Sequence, residues 1–248
     1  LLVEGYDRWQ SQGGGAPDTF CERRAEALAP LRAQFDSMLN ERAVAQPAPL
    51  ADYNLILWSV GQESTESETF SAAEQRLLAD LQSRGVFLFV SGAEIGWDLV
   101  EKAGAANDFH NGSAGDTAFF QQVLRADYLA DAPTAIADHY RARGAAGGVF
   151  AGLQLAYDNG TGGAYNVRYP DVIAPRAGAR AELYYGDGAE AAAISYEGQT
   201  SGTDGNFTRL LYLAIPFETL TPDSARREAM ARAIKFFFPD PIHVSEWI

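Results

Sequence analysis

Cysteine is almost missing from this chain. Cys21 is the single one among 248 residues, so no internal disulfide can form. Histidine is nearly as scarce, with His110, His139 and His243 the full set. Neither a Cys-x-x-Cys nor a His-Glu-x-x-His pattern occurs, so no zinc site is expected, and no other metal or cofactor signature stands out. Basic residues are few: 19 Lys and Arg against 33 Asp and Glu, a formal net charge of −14. So acidic a chain repels phosphate backbones and anionic bilayers, and no basic stripe overrides that, which excludes nucleic acid as a partner. No apolar run approaches the roughly 20 residues of a membrane helix, so no membrane insertion is expected. There is no internal repeat, no low-complexity tract and no Gly-x-Ser-x-Gly element of an α/β-hydrolase. "GTGGAY" from Gly160 lacks the third glycine of a dinucleotide fingerprint.

What is present is core-forming material: 47% hydrophobic and 12% aromatic residues. "LLVE" at the start reads as a buried strand, and a chain opening inside a strand suggests a domain cut from a longer, exported precursor. Thr19 with Glu22 reads as a capping box opening a helix that bends near Pro30 and runs to about Asn40. "RAVAQ" suggests a short strand. "NLILWSVG" and "VFLFV" are continuous apolar runs, as expected of strands covered on both faces. Between them Ser71 with Glu74 makes a second capping box, and Leu77, Leu78 and Leu81 follow at helical spacing until Gly85. Asp116 reads as the cap of a further helix. "RLLYLAIPF" is another buried run, after which Thr221 and Pro222 open a last helix.

The alternation predicts a three-layer α/β domain, a mostly parallel sheet with helices on both faces. Residues 144–205 are different, with short β-like runs between Gly, Asn and Asp clusters, and read as an antiparallel β extension of one domain spanning 1–248.

Ligands of open parallel sheets gather beyond the carboxyl ends of the strands. The segments expected there are "GYDRW", "GQES", "SGAEIGWD" and "PFETL". The third is an abrupt turn, Gly92-Ala93-Glu94-Ile95-Gly96, between a strand and a helix. This set resembles the class I glutamine amidotransferase-like, flavodoxin-like superfamily, where a Gly-x-Cys-x-Gly elbow presents the nucleophile and a histidine follows a late strand. Here Glu94 stands at the cysteine position, and Phe217 and Glu218 stand where the histidine and its partner are expected. The chain is also similar to C-terminal regions of secreted bacterial proteins labelled xanthan lyase-like or amidase-like, in "YDRW", "SGAEIGWDL" and "PFE". The resemblance implies a secreted or cell-surface location, and the missing thiol and imidazole imply that glutamine hydrolysis is lost.

Each candidate side chain has a bland alternative. Glu94 is a nucleophile, an acceptor for ligand hydroxyls or a cation, or simply the cap of the helix beginning near Trp97; the last is the simplest. Ser91 lacks a base and is expected to bond backbone at the strand end. Glu63 and Ser64 lie where related enzymes bind an oxyanion, though loop polarity explains them equally. Asp7 and Arg8 form either a salt bridge or a ligand contact. Trp9, Trp58 and Trp97 beside carboxylates suit a sugar site, or else are core. The expectation is therefore a non-catalytic accessory module that binds carbohydrate or neighbouring domains through Asp7, Arg8, Glu63, Ser64, Ser91, Glu94, Trp97 and Asp98. The alternative is a hydrolase or lyase working through the acidic cluster Glu63, Glu94 and Asp98 on a polysaccharide or peptidoglycan-like substrate.

Overall fold

Strand and helix assignments come from a computed structural model that describes residues 1–6, 18–63, 68–102, 114–200 and 205–239. The apolar runs become strands β1 (Leu2–Glu4), β3 (Leu55–Gly61), β4 (Phe87–Gly92) and β11 (Phe207–Leu213). Alternate residues of these runs enter opposite cores. Leu55, Leu57 and Phe89 pack on one face of the sheet, with Ala27, Leu28, Met230 and Phe237. Ile56, Trp58, Val60, Leu88 and Val90 pack on the other, with Leu77, Leu78, Leu81 and Phe120. Burial on both faces is why these segments carry no polar alternation.

Five strands run parallel, in the order β2-β1-β3-β4-β11, where β2 is Ser37–Leu39. At β11 the direction switches, since Ala193 to Gln199 of β10 (Ala191–Gln199) pair antiparallel with Leu213 to Phe207. Beyond β10 lie β9 (Arg180–Tyr185), β6 (Arg141–Gly144), β7 (Gln154–Tyr157) and β12 (Leu220–Thr221), all antiparallel. β8 (Val172–Pro175) branches from β10 and carries β5 (Ala126–Ala130).

This corrects the expected fold class. Among the described residues the twelve-stranded sheet is mixed, with four parallel pairings against seven antiparallel ones, and is not the mostly parallel sheet of a three-layer α/β domain. The described strands of the 144–205 segment are antiparallel and are hydrogen-bonded into the one sheet through β10. The expectation failed because short strands such as "ADYLA" and "VIAP" owe their conformation to distant partners, Ala126 to Pro175 and Tyr128 to Ile173.

The helices are α1 (Asp18–Leu28), α2 (Asn40–Ala45), α3 (Ala72–Ser83), α4 (Ala114–Gln122) and α5 (Asp223–Phe237). The Ser71–Glu74 capping box forms in both directions. Pro30 stops α1 instead of bending it, and a 3-10 turn over Ala29–Leu31 follows. "RAVAQ" falls largely in α2, and the edge strand lies before it, at Ser37–Leu39. Alanine-rich and only one-sidedly buried, through Ala43, that segment suits a helix better than a strand. No helix among the described residues is long and apolar enough to cross a membrane.

Candidate functional site

The carboxyl ends of the parallel strands gather two polar systems, one sealed inside and one reaching the surface. The sealed one centres on Arg24, which is 1% exposed. Its guanidinium lies 2.5 Å from Glu4 at the end of β1 and 3.5 Å from Glu218 beyond β11. Glu218 also accepts the Ser59 hydroxyl at 3.1 Å and the Tyr165 hydroxyl at 2.5 Å. The rings of Tyr6, Phe20 and Tyr165 pack against one another in tilted and edge-on contacts, with the Tyr165 hydroxyl reaching Glu218. One guanidinium facing two carboxylates leaves a negative charge uncompensated. Burial, and to a smaller extent the neighbouring Glu218, push the Glu4 carboxyl up to about 7, while Arg24 pulls it back.

Sequence reading missed Arg24, yet a signal existed. Phe20, Arg24, Ala27 and Leu28 share one helical face, so a cation sits in the middle of an apolar stripe. A charge there implies a buried partner.

The second system is the turn after β4. Gly92 and Gly96 are required by packing. A Cβ on Gly92 would lie 2.3 Å from Val60 Cγ2, and one on Gly96 would lie 2.7 Å from Tyr128 Cδ2 and 2.9 Å from Phe120 Cζ. Neither glycine takes up the left-handed backbone. Glu94 does, with φ of 62°, at the tip of the turn. The turn is held from outside: Ala93 N–H donates to the Gly61 carbonyl at 2.7 Å, and Gly96 and Trp97 donate to Asp171 at 2.6 and 3.2 Å. The capping assigned to Glu94 from sequence therefore falls to a buried aspartate from the antiparallel half. Burial pushes the Asp171 carboxyl well up, and the two N–H donors partly offset this.

A π-helical turn, Trp97–Glu101, follows. Its Asp98 is buried, accepting Thr69 N–H and hydroxyl at 2.8 Å each and pairing with Lys102 at 2.8 Å. Lys102 lies 5.4 Å over the Trp97 ring. Tyr128 of β5 donates to Glu101. Beside them Asp131 is pushed up to about 6 by partial burial and the nearby Glu101.

The sequence candidates thus separate. Glu94 and Trp97 are half-exposed and lie three residues apart on the turn after β4. Glu63, Ser91 and Asp98 are buried, and Ser91 sits opposite Ser59 in the strand register. Trp58 is core, packed against Phe70. Asp7, Arg8, Trp9, Ser64, His110 and His243 lie outside the described residues. His139 is in the antiparallel half, with its Nε2 2.9 Å from the Pro133 carbonyl. Among the described residues no group of His, Cys, Asp and Glu is arranged to hold a metal ion.

Fold and rim together define a mixed α/β domain whose parallel half ends in an acidic, aromatic turn. Among solved structures the chain is similar to the mmIFT52 N-terminal domain, with a TM-score of 0.53 and 12% identity over 98% of this chain and 99% of that one. That likeness is one of fold. No family model and no curated protein matches the chain. The resemblance to class I glutamine amidotransferases, to flavodoxin-like proteins and to secreted xanthan lyase-like or amidase-like regions is therefore corrected: no comparison carries it, and the sheet is predominantly antiparallel. The Gly-x-x-x-Gly spacing that suggested it has a local cause in the close approach of Val60 and Tyr128.

Proposed function

We propose that the chain is a non-catalytic binding module, and that the rim formed by Glu94, Trp97, Glu101 and Asp131 contacts its ligand. One observation carries this reading: a non-glycine residue, acidic and half-exposed, is held in the left-handed region at the tip of a turn. Such a conformation costs about 1 kcal/mol or more and persists where the surrounding structure enforces it, commonly at ligand sites. A half-exposed carboxylate and a half-exposed indole on one turn suit a carbohydrate, whose hydroxyls need acceptors and whose apolar ring face stacks on an aromatic. A neighbouring domain of the same polypeptide is the other occupant such a rim fits.

The hydrolase alternative has less support, because two of its three carboxylates are buried and Asp98 is engaged by Lys102 and Thr69. The test is a panel of neutral and acidic oligosaccharides followed by calorimetry, with glycoside, ester and amide turnover measured in parallel. The expected result is binding without turnover, lost in Trp97→Ala and weakened in Glu94→Gln. Turnover that Glu94→Gln abolishes would overturn the reading in favour of an enzyme.

A further inference from the structure

Away from the rim, a groove of about 560 Å³ opens between the last turns of α5 and the glycine-rich loop before β7. Arg180, Arg232 and Lys235 all line it, a concentration of cations on a chain where acids outnumber bases 33 to 19. Both arginines are held in place by bonds within the fold. Arg180 donates from Nε to Glu182 at 2.7 Å and to Ser195 at 3.3 Å. Glu182 is itself fully buried, accepting the Ser195 hydroxyl at 2.6 Å and the Val149 N–H. Arg232 donates from Nε to Glu228 at 2.8 Å and from Nη1 to the Ala151 carbonyl at 2.5 Å.

What these bonds leave over is informative. Both terminal nitrogens of Arg180 and Nη2 of Arg232 have no acceptor among the described residues, and exposed Lys235 has none either. Gly147 also lines the groove, with φ of 72° and open space where a Cβ would stand, and its N–H has no acceptor among the described residues. Glu228 is the one acidic residue in the lining, and Arg232 neutralises it. With Arg180 paired to Glu182 behind the lining as well, the groove keeps free donors and one uncompensated positive charge, that of Lys235. Planar guanidinium forks, an ammonium and a backbone N–H are the donor set that tetrahedral oxyanions select.

We infer that this groove is a binding site for a phosphate- or sulfate-bearing small molecule, separate from the Glu94 rim and independent of the function proposed for it. Arg180 supplies both of its terminal nitrogens, Arg232 its one remaining nitrogen, Lys235 the unpaired charge, and Gly147 a main-chain contact. Phe236 lines the same groove and offers an apolar surface to whatever the anion is attached to.

The experiment is a titration of the intact chain with inorganic phosphate and then sulfate, at ionic strength held constant with sodium chloride, followed by amide NMR. The expected result is a saturable shift of the Gly147 and Gly148 signals. Lys235→Ala should weaken binding about tenfold, the loss of one charge-assisted contact. Because Lys235 is exposed and makes no bond in the fold, that variant tests binding without endangering folding. Arg180→Gln serves as the second variant. A sugar phosphate that binds more tightly than inorganic phosphate identifies the source as an organic ester, and equal affinity identifies the free anion; both support the site. Shifts that never saturate, that map elsewhere, or that survive unchanged in both variants overturn it.

Discussion

Asp171 holds Gly96, 75 residues earlier in the chain, through a 2.6 Å bond from the glycine N–H to its carboxylate. The turn over β4 is thus set by a residue of the antiparallel half, and its shape depends on the whole sheet being formed. Asp171→Ala orphans the N–H groups of Gly96 and Trp97, Gly96 being buried. The expected loss is about 2 kcal/mol in urea denaturation, in line with buried donors left without acceptors.

Glu94→Gly should move stability the other way. Glycine takes φ of 62° without strain, so the variant is expected to gain about 1 kcal/mol at the backbone, less what the Glu94 side chain contributes through its own contacts. Any rim ligand should bind more weakly at the same time. A stability gain alongside a binding loss would mark Glu94 as a residue whose backbone strain is kept for contact. Calorimetric unfolding of the variant checks the first half of this statement.

The Glu4 carboxyl has a definite pH consequence. Its folded value of about 7 lies above the ordinary 4.5, so in this range the native state binds the extra proton. The stabilisation is fully present below about pH 4.5 and is lost as pH rises through about 7. The shift corresponds to about 3 kcal/mol in all. Glu4→Gln keeps the shape and removes this titration, so its stability should decline less than that of the wild type between pH 5 and pH 8, the remaining slope coming from groups such as Asp131. Urea midpoints at the two pH values in both proteins decide it.

Asp98 and Lys102 form a buried pair, with side chains 4% and 1% exposed. Lys102→Met leaves Asp98 with Thr69 alone and should cost about 3–5 kcal/mol. The double change Asp98→Leu with Lys102→Met should recover much of that, because no unpaired charge remains. A double-mutant cycle on unfolding free energy measures the coupling.

Legibility from sequence followed the range of the interactions. β3 and β4 were readable because two-sided burial writes an unbroken apolar run into a short stretch, and α3 because Ser71 and Glu74 meet within one turn. β5, β6 and β8 were not, since "RARG" is a strand only through its pairing with Tyr184 and Ala156 on either side. The site divided in the same way. Glu94 and Trp97 stood out as an acid and an indole on a tight turn. Asp171, which fixes that turn, carried no local mark; Glu218 was placed among the converging loops, but its donors Ser59 and Tyr165 come from distant segments and were not legible. The amidotransferase likeness rested on glycine spacing, which packing against Val60 and Tyr128 produces without any nucleophile.

The late position of β11 in the chain matters for synthesis. β4 has β3 on one side, but its other edge stays bare until Leu210 arrives to lie beside Leu88. While the ribosome is still making the intervening segments, that row of main-chain groups is open to any passing strand, including one from a second nascent copy. A truncation ending before β11 would make the hazard permanent, so such fragments should accumulate as insoluble material while chains that reach Leu213 do not.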